Sequence, residues 1–349
     1  MKHTLYLLPL AAFALASCAN EDTIEVSQGR EISFRPAMSS RATEVTNANL
    51  QDFKASAFIG SDVYFNQVTF SRDGSFYTSA KDYLWPGDDT QIDFLAYAPS
   101  DLTGVTVTSE NKTLENFTPA ESIADQVDFI SAQASGTRSA NESAGVPLDF
   151  AHRLAQIEVQ AKTSNDVYNF EVTGVRIGRP VAGGSFDFDS NAWTLAQDKT
   201  DYETTYATAV KLGEEAASVM GADGNAMLIP QQLTAWNATA DGANAAQGAY
   251  LSIKLRITAA ETGTQIYPFP SNGEDQWAAI PVNTNWEAGK KYIYTLDLTH
   301  GAGYVDPNDP DGGKPVLGGP IKFTVQVEDW TDTPVSTIDM KTSSDDAEK

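Results

Sequence analysis

The sequence predicts an all-β protein built of β-sandwiches, and three observations carry that expectation. Apolar and polar residues alternate with period two through much of the chain, as strands do when one face packs on a core and the other meets water. Turn-forming Gly, Pro and Asp residues separate those runs at short intervals. No stretch of comparable length repeats apolar residues at helical spacing, and residues 202–218 alone have room for a short helix.

Taken in order, residues 31–36 place Ile32 and Phe34 on one face of a first strand. Residues 53–59, 64–70 and 92–98 follow, the last reading Ile92-Asp-Phe-Leu-Ala-Tyr-Ala98. Further runs lie at 127–131 and at 154–161, where Leu154, Ile157 and Val159 are apolar. In the later half, 251–258 and 321–328 alternate without a fault, and 292–299 is aromatic and β-branched. Arg72-Asp-Gly74, Trp85-Pro-Gly-Asp88, Ala182-Gly-Gly184 and Glu287-Ala-Gly289 punctuate these runs. A chain of 349 residues has the length for two units, and the polar break Lys162-Thr-Ser-Asn-Asp166 divides it into 31–162 and 163–349. No internal repeat is evident.

The formal net charge is −24, and loss of residues 1–17, whose one charged side chain is Lys2, leaves −25. Such a surface repels nucleic acid and anionic headgroups, so neither is expected as a partner. Cys18 is the only cysteine. A short basic start, an apolar run to Ala16 and the junction Leu15-Ala-Ser-Cys18 form a secretory signal that resembles the bacterial lipobox, in which the cysteine is acylated and becomes the first mature residue. Residues 18–30 then read as a tether. Its Glu21-Asp22 pair resembles the surface-export signal of Bacteroidetes lipoproteins, or is simply solvated linker. With the single thiol given to lipid, neither a disulfide nor a cysteine metal site is available.

The chain offers little for catalysis. Once His3 leaves with the signal peptide, His152 and His300 remain, and His152 in Phe150-Ala-His-Arg-Leu154 reads as a histidine bonded beside the core. No Gly-x-Ser-x-Gly elbow, phosphate-binding loop or dinucleotide fingerprint occurs. No enzyme activity, cofactor or metal is expected. The acidic loop 306–313 is dense in oxygen ligands, but its two prolines and its glycine positions do not fit the EF-hand frame, so it reads as an exposed connection. Trp85, Trp193, Trp286 and Trp330 adjoin strands or turns and are assigned to core packing. Trp236 and Trp277 are less clearly placed, which leaves a glycan-binding surface open as a second class.

Several segments together resemble the fimbrillin family, the lipoprotein pilins of Bacteroidetes. They are Glu31-Ile-Ser-Phe34 with Ser40-Arg-Ala42, Tyr83-Leu-Trp-Pro86 with Asp93 to Pro99, Gln126 to Ala132, Val146 to Leu154, Ala288 to Tyr292, and Ile321 to Trp330, in the family's order. The resemblance implies two tandem transthyretin-like Greek-key β-sandwich domains. It also implies a fimbrial subunit exported as a lipoprotein, with lipid on Cys18 holding it to the outer membrane. An arginine-specific protease would cut Arg41–Ala42 and release the first strand with Ile32 and Phe34; Arg30 and Arg35 are rival sites. A donor strand from another subunit, drawn from the family's C-terminal segment (here 331–340), would fill the vacated groove. Its apolar residues Val335, Ile338 and Met340 are spaced by three and then two, which departs from strict alternation. The tail would instead lie on its own unit in a non-polymerising anchor or tip subunit. A monomeric glycan-binding lipoprotein is the remaining alternative. Implied partners are other fimbrial subunits, the protease, the outer membrane and a ligand on a host or bacterial surface.

Overall fold

The computed structural model describes residues 31–37, 49–269, 274–330 and 339–340. The first part of the chain forms β1 (Phe34–Ala37), β2 (Asp52–Ile59), β3 (Asp62–Asp73), β4 (Phe76–Ser79), β5 (Ile92–Ala98), β6 (Val105–Val107), β7 (Lys112–Phe117), β8 (Ile130–Gly136), β9 (Val146–Asp149) and β10 (Ala151–His152). Next come β11 (Ala155–Lys162), β12 (Tyr168–Val181), β13 (Gly184–Asp187), β14 (Ala192–Leu195), β15 (Lys199–Lys211), β16 (Ala217–Ser218) and β17 (Ala226–Leu228). The chain closes with β18 (Tyr250–Ala259), β19 (Gln265–Tyr267), β20 (Gln276–Pro281), β21 (Lys290–Asp297), β22 (Tyr304–Val305), β23 (Lys322–Asp329) and β24 (Asp339–Met340). One short helix, Arg138–Asn141, and three 3₁₀ turns complete the described structure. The all-β sandwich expectation holds.

Eight strands form one sheet in the order β10-β8-β5-β2-β3-β4-β1-β9. Because β9 and β10 are separated only by Phe150, the run 146–152 pairs with β1 at one end and with β8 at the other. The sheet therefore curls back on itself around a single core. That core is aromatic: Phe34, Phe53, Phe70, Trp85 and Phe94 pack with Ile32, Ile92, Ile130, Val146 and Leu148. Removing such apolar surface from water is the main favourable term for this part of the chain.

A second core lies between two further sheets, β16-β11-β21-β23-β24 with β17 on β11, and β15-β12-β18-β20-β22 with β19 on β18. Ile157, Val159, Val175, Ile177, Ile253, Leu255, Trp286, Tyr294 and Val325 fill it. Residues 155–162, grouped by sequence patterning with the first unit, hydrogen-bond in parallel to β21 from Gln156↔Lys291 to Lys162↔Asp297. The two parts are joined by a four-stranded sheet, β14-β13-β7-β6, to which each contributes a hairpin. Tyr97, Phe117, Phe129, Phe186, Phe188 and Trp330 are buried beneath that sheet.

One expectation is corrected. Residues 202–218 do not form a helix; they enter β15, which pairs along β12 from Lys199 to Lys211, and then the short β16. The run is rich in Thr, Tyr and Val, whose side chains suit a pleated surface, and Tyr202 and Thr204 point into the second core side of the sheet while Asp201 and Glu203 do not.

Candidate functional site

The first strand is the residue set that sequence reasoning tied most directly to function, and it is built into the curled sheet rather than laid against it. Phe34 stands opposite Tyr77 of β4 on one side and Val146 of β9 on the other, and the parallel register continues to Ala37↔Asp149. Main-chain bonds run to both flanks and beyond. The Ile32 N–H donates to the Tyr83 carbonyl at 2.7 Å, Val146 N–H to Ser33 at 2.9 Å, and Phe150 N–H to Ala37 at 3.1 Å. Withdrawing these residues would leave two unpaired edges, a condition that sheets resolve by pairing with another strand.

Side chains alternate as the sequence predicts. Ile32 and Phe34 are each 0% exposed, and Arg35 faces solvent with its guanidinium over the Phe76 ring at 5.3 Å. Phe34 receives three aromatic edges, from Phe70 at 4.7 Å, Phe94 at 5.2 Å and Phe53 at 5.7 Å between centroids. Its pocket is completed by Tyr77, Val146 and Leu148. The walls of this slot were not assigned as strands from the sequence. Val146-Pro-Leu-Asp alternates, but over only four residues, and its partner is more than a hundred positions upstream. At the entrance, Glu31 bridges Leu84, and one of its carboxylate oxygens is buried without a partner. Burial first, then the charge of Asp82, holds its pKa above the usual carboxylate range.

Cys18, Arg41, Ala42, Val335 and Ile338 lie outside the described residues. Met340 is described through its backbone: β24 pairs antiparallel with β23, Asp339 opposite Gln326 and Met340 opposite Val325. Trp330, the last described residue before that pair, has its indole flat on His152, ring centroids 4.0 Å apart and planes 6° apart. His152 Nδ1 is 2.8 Å from Asp128, with both side chains almost fully buried. This places the histidine of the earlier part of the chain at the root of the C-terminal segment.

The acidic loop spends its carboxylates on itself and on the sheet. Buried Asp306 takes Arg176 Nη1 at 3.0 Å and the Ser252 hydroxyl, Asp309 accepts from the Asp311 N–H at 2.8 Å, and Asp311 pairs with Lys314 at 2.6 Å. Among the described residues no cluster of three or more His, Cys, Asp or Glu is arranged to hold a metal ion. Trp85, Trp286 and Trp330 are buried in core positions, as is Trp236, while Trp193 and Trp277 are half-buried.

The fimbrillin-like family profile matches residues 37–330. A fimbrial protein from Bacteroides vulgatus superposes with a TM-score of 0.57 at 16% identity, covering 86% of this chain and 99% of its own. A candidate cell adhesion protein from Bacteroides uniformis gives 0.50 at 15% identity, covering 88% and 99%. At such identities the likeness is one of fold. No curated protein matches the chain.

Proposed function

The chain belongs to the fimbrillin-like family, and from that premise we propose that it is a structural subunit of surface fimbriae supporting adhesion. In this reading it is exported as a lipoprotein through Cys18 and assembled by proteolytic loss of its first strand followed by β-strand addition from a neighbouring subunit. The observation that carries the proposal is the position of β1, hydrogen-bonded on both sides inside a curled sheet with Ile32 and Phe34 fully buried. A strand so placed cannot be lost without opening a slot that another strand fits. Main-chain bonds to β4 and β9 would give affinity, and the pockets of Ile32 and Phe34 would set register. Apolar burial at about 25 cal/mol per Å² makes such a junction strong.

Cleavage at Arg41–Ala42 suits this scheme because the bond lies beyond Ala37, the last residue of β1. Arg35 is a poor substitute. Its backbone is held between two strands and it is followed by Pro36, whereas proteases take chain that is free to extend into their cleft. The donor role falls to 331–340 with Val335, Ile338 and Met340. A second reading has its own observation: Asp339 and Met340 pair with β23 of the same chain, as in an anchor or tip subunit that keeps its tail.

Treatment of the purified precursor with an arginine-specific protease separates the two. A shaft subunit loses its N-terminal piece with Cys18 and forms SDS-resistant ladders. If the clipped product stays monomeric, the shaft assignment fails, and a chain that resists clipping and retains Cys18 is the anchor or tip form.

A further inference from the structure

The slot that holds β1 accepts a pattern of side chains, and the far end of the chain carries that pattern again. In Ile32-Ser-Phe-Arg35 a β-branched residue, a polar one, a large apolar one and a cation follow in order. Ile338-Asp-Met-Lys341 repeats that order. In a strand the first and third of each four share one face, and the second and fourth share the other. Ile32 and Phe34 take the buried face of the slot, and Arg35 takes the exposed one. Val335, three positions before Ile338, falls on the opposite face from Ile338 and Met340.

Each position of the slot suits the residue that the tail brings. Ile338 repeats the side chain of Ile32. Around Phe34 stand the rings of Phe53, Phe70 and Phe94, their centroids within 5.7 Å of its own. Methionine is long, unbranched and polarizable, and its sulfur packs well against aromatic rings, so Met340 fits that space. The Arg35 guanidinium lies over the Phe76 ring at 5.3 Å, a place that suits the ammonium of Lys341 equally. Entering in the opposite direction, the segment would put Ile338 among the rings and the uncharged Thr337 over Phe76. The match therefore selects the direction of β1, parallel to β9 and antiparallel to β4.

We propose that residues 338–341 fill the slot of another copy of this chain, with Ile338 in the place of Ile32, Met340 in that of Phe34 and Lys341 in that of Arg35. This rests on the assembly reading above and names its partner, a second copy of the same chain, with the register and direction of the contact. The seven residues 331–337 then connect the donor's Trp330 to the Ile32 end of the slot, a span of at most about 25 Å. In the free chain the same residues are held back. Asp339 and Met340 pair with Gln326 and Val325 of β23, a ladder of two residue pairs. In the slot, β1 makes four residue pairs with β9 and is flanked by β4 as well. The slot offers the longer ladder, so the pairing with β23 acts as a cap that a vacated slot displaces.

Cross-linking of the purified full chain, clipped by an arginine-specific protease and mildly oxidised, tests register and direction together. Lys341→Cys with Phe76→Cys sets two thiols at facing positions in the proposed register. Thr337→Cys with Phe76→Cys does so in the reversed one. Mass spectrometry of linked peptides should find the intersubunit disulfide in the first pair and none in the second. Ile338→Asp and Met340→Asp should each cut the yield of SDS-resistant ladders at least about tenfold, because each buries a carboxylate without a partner. Val335→Asp should leave the yield unchanged. The proposal is overturned if ladders form without the link between positions 341 and 76, if the link between 337 and 76 appears in its place, or if Val335→Asp is as damaging as Ile338→Asp. A parent chain that is not clipped, or forms no ladders once clipped, overturns the assembly reading and this register with it.

Discussion

Replacing Phe34 by Ala tests whether the first strand is held as a core element. The side chain is 0% exposed and meets Phe53, Phe70 and Phe94 edge-on within 5.7 Å. Truncating a buried phenylalanine costs about 3–5 kcal/mol, because transfer energy is lost and the neighbours collapse only partly into the space. Three facing rings cannot all follow the missing one, so about 4 kcal/mol is expected here. At about 1.4 kcal/mol per decade this raises the opening of the strand about a thousandfold. Hydrogen exchange reads it directly at Ile32, which donates to Tyr83, and at Val146 and Phe150, which donate to β1 and its neighbour Ser33. Protection at these amides should fall about a thousandfold in Phe34→Ala. Arg35→Ala is the control, since it removes only an exposed cation–π contact worth about 0.5–1 kcal/mol. A fall of less than about tenfold in Phe34→Ala would mean that apolar burial does not hold the strand, and the hydrophobic slot would lose its physical basis.

Other perturbations reach different parts of the fold. Glu31 titrates above the usual carboxylate range, so the stability tied to its protonated form is intact at acid pH and lost as pH rises through that raised value. Glu31→Gln should therefore be more stable than the parent at neutral pH and equal to it in acid, as followed by thermal unfolding against pH. Asp306→Ala strands the 11%-exposed Arg176 side chain; with Glu203 still in place the loss should be about 3 kcal/mol in urea unfolding. At Gly178 an added Cβ would fall 2.0 Å from Tyr250 Cζ, so Gly178→Ala must displace a buried ring and should cost about 1–3 kcal/mol by the same measurement. Burial pushes Tyr97, Tyr206 and Tyr292 up to about 12, and Tyr202, Tyr250, Tyr267 and Tyr294 higher still. Their protonated forms are intact below the ordinary tyrosine range near 10 and are lost as pH rises through the raised values. Tyrosinate absorbance of the folded protein should stay low until denaturation releases these phenols together.

The strands that alternate cleanly were legible in the sequence. The run 92–98 is β5, while 251–258 and 321–328 match β18 and β23 to within a residue. β12 escaped because a bulge breaks its phase: Phe170 and Val172 are followed inward by Val175 and Ile177, with the register shift at Gly174. A period-two search resets at such a point and finds two short fragments in place of one 14-residue strand. The hairpins of the joining sheet are three to six residues per strand, too short for periodicity to register. Of the first-strand site, Ile32 and Phe34 were legible and their pockets were not. Trp277, which carries the Arg176 guanidinium over its ring, stood out only as a tryptophan without a clear place.

Composition and alternation by themselves determined that the chain is all-β, that Ile32 and Phe34 point the same way, and that its surface is strongly acidic. These are local properties, since a strand presents successive side chains to opposite faces whatever its partners are. Tertiary structure alone decided that β1 lies between β4 and β9, that hairpins from both parts of the chain share one sheet, and that Asp306 closes on Arg176. Those pairings join residues far apart in the chain, and they are chosen by which edges and buried charges can be satisfied together, a condition no single segment contains.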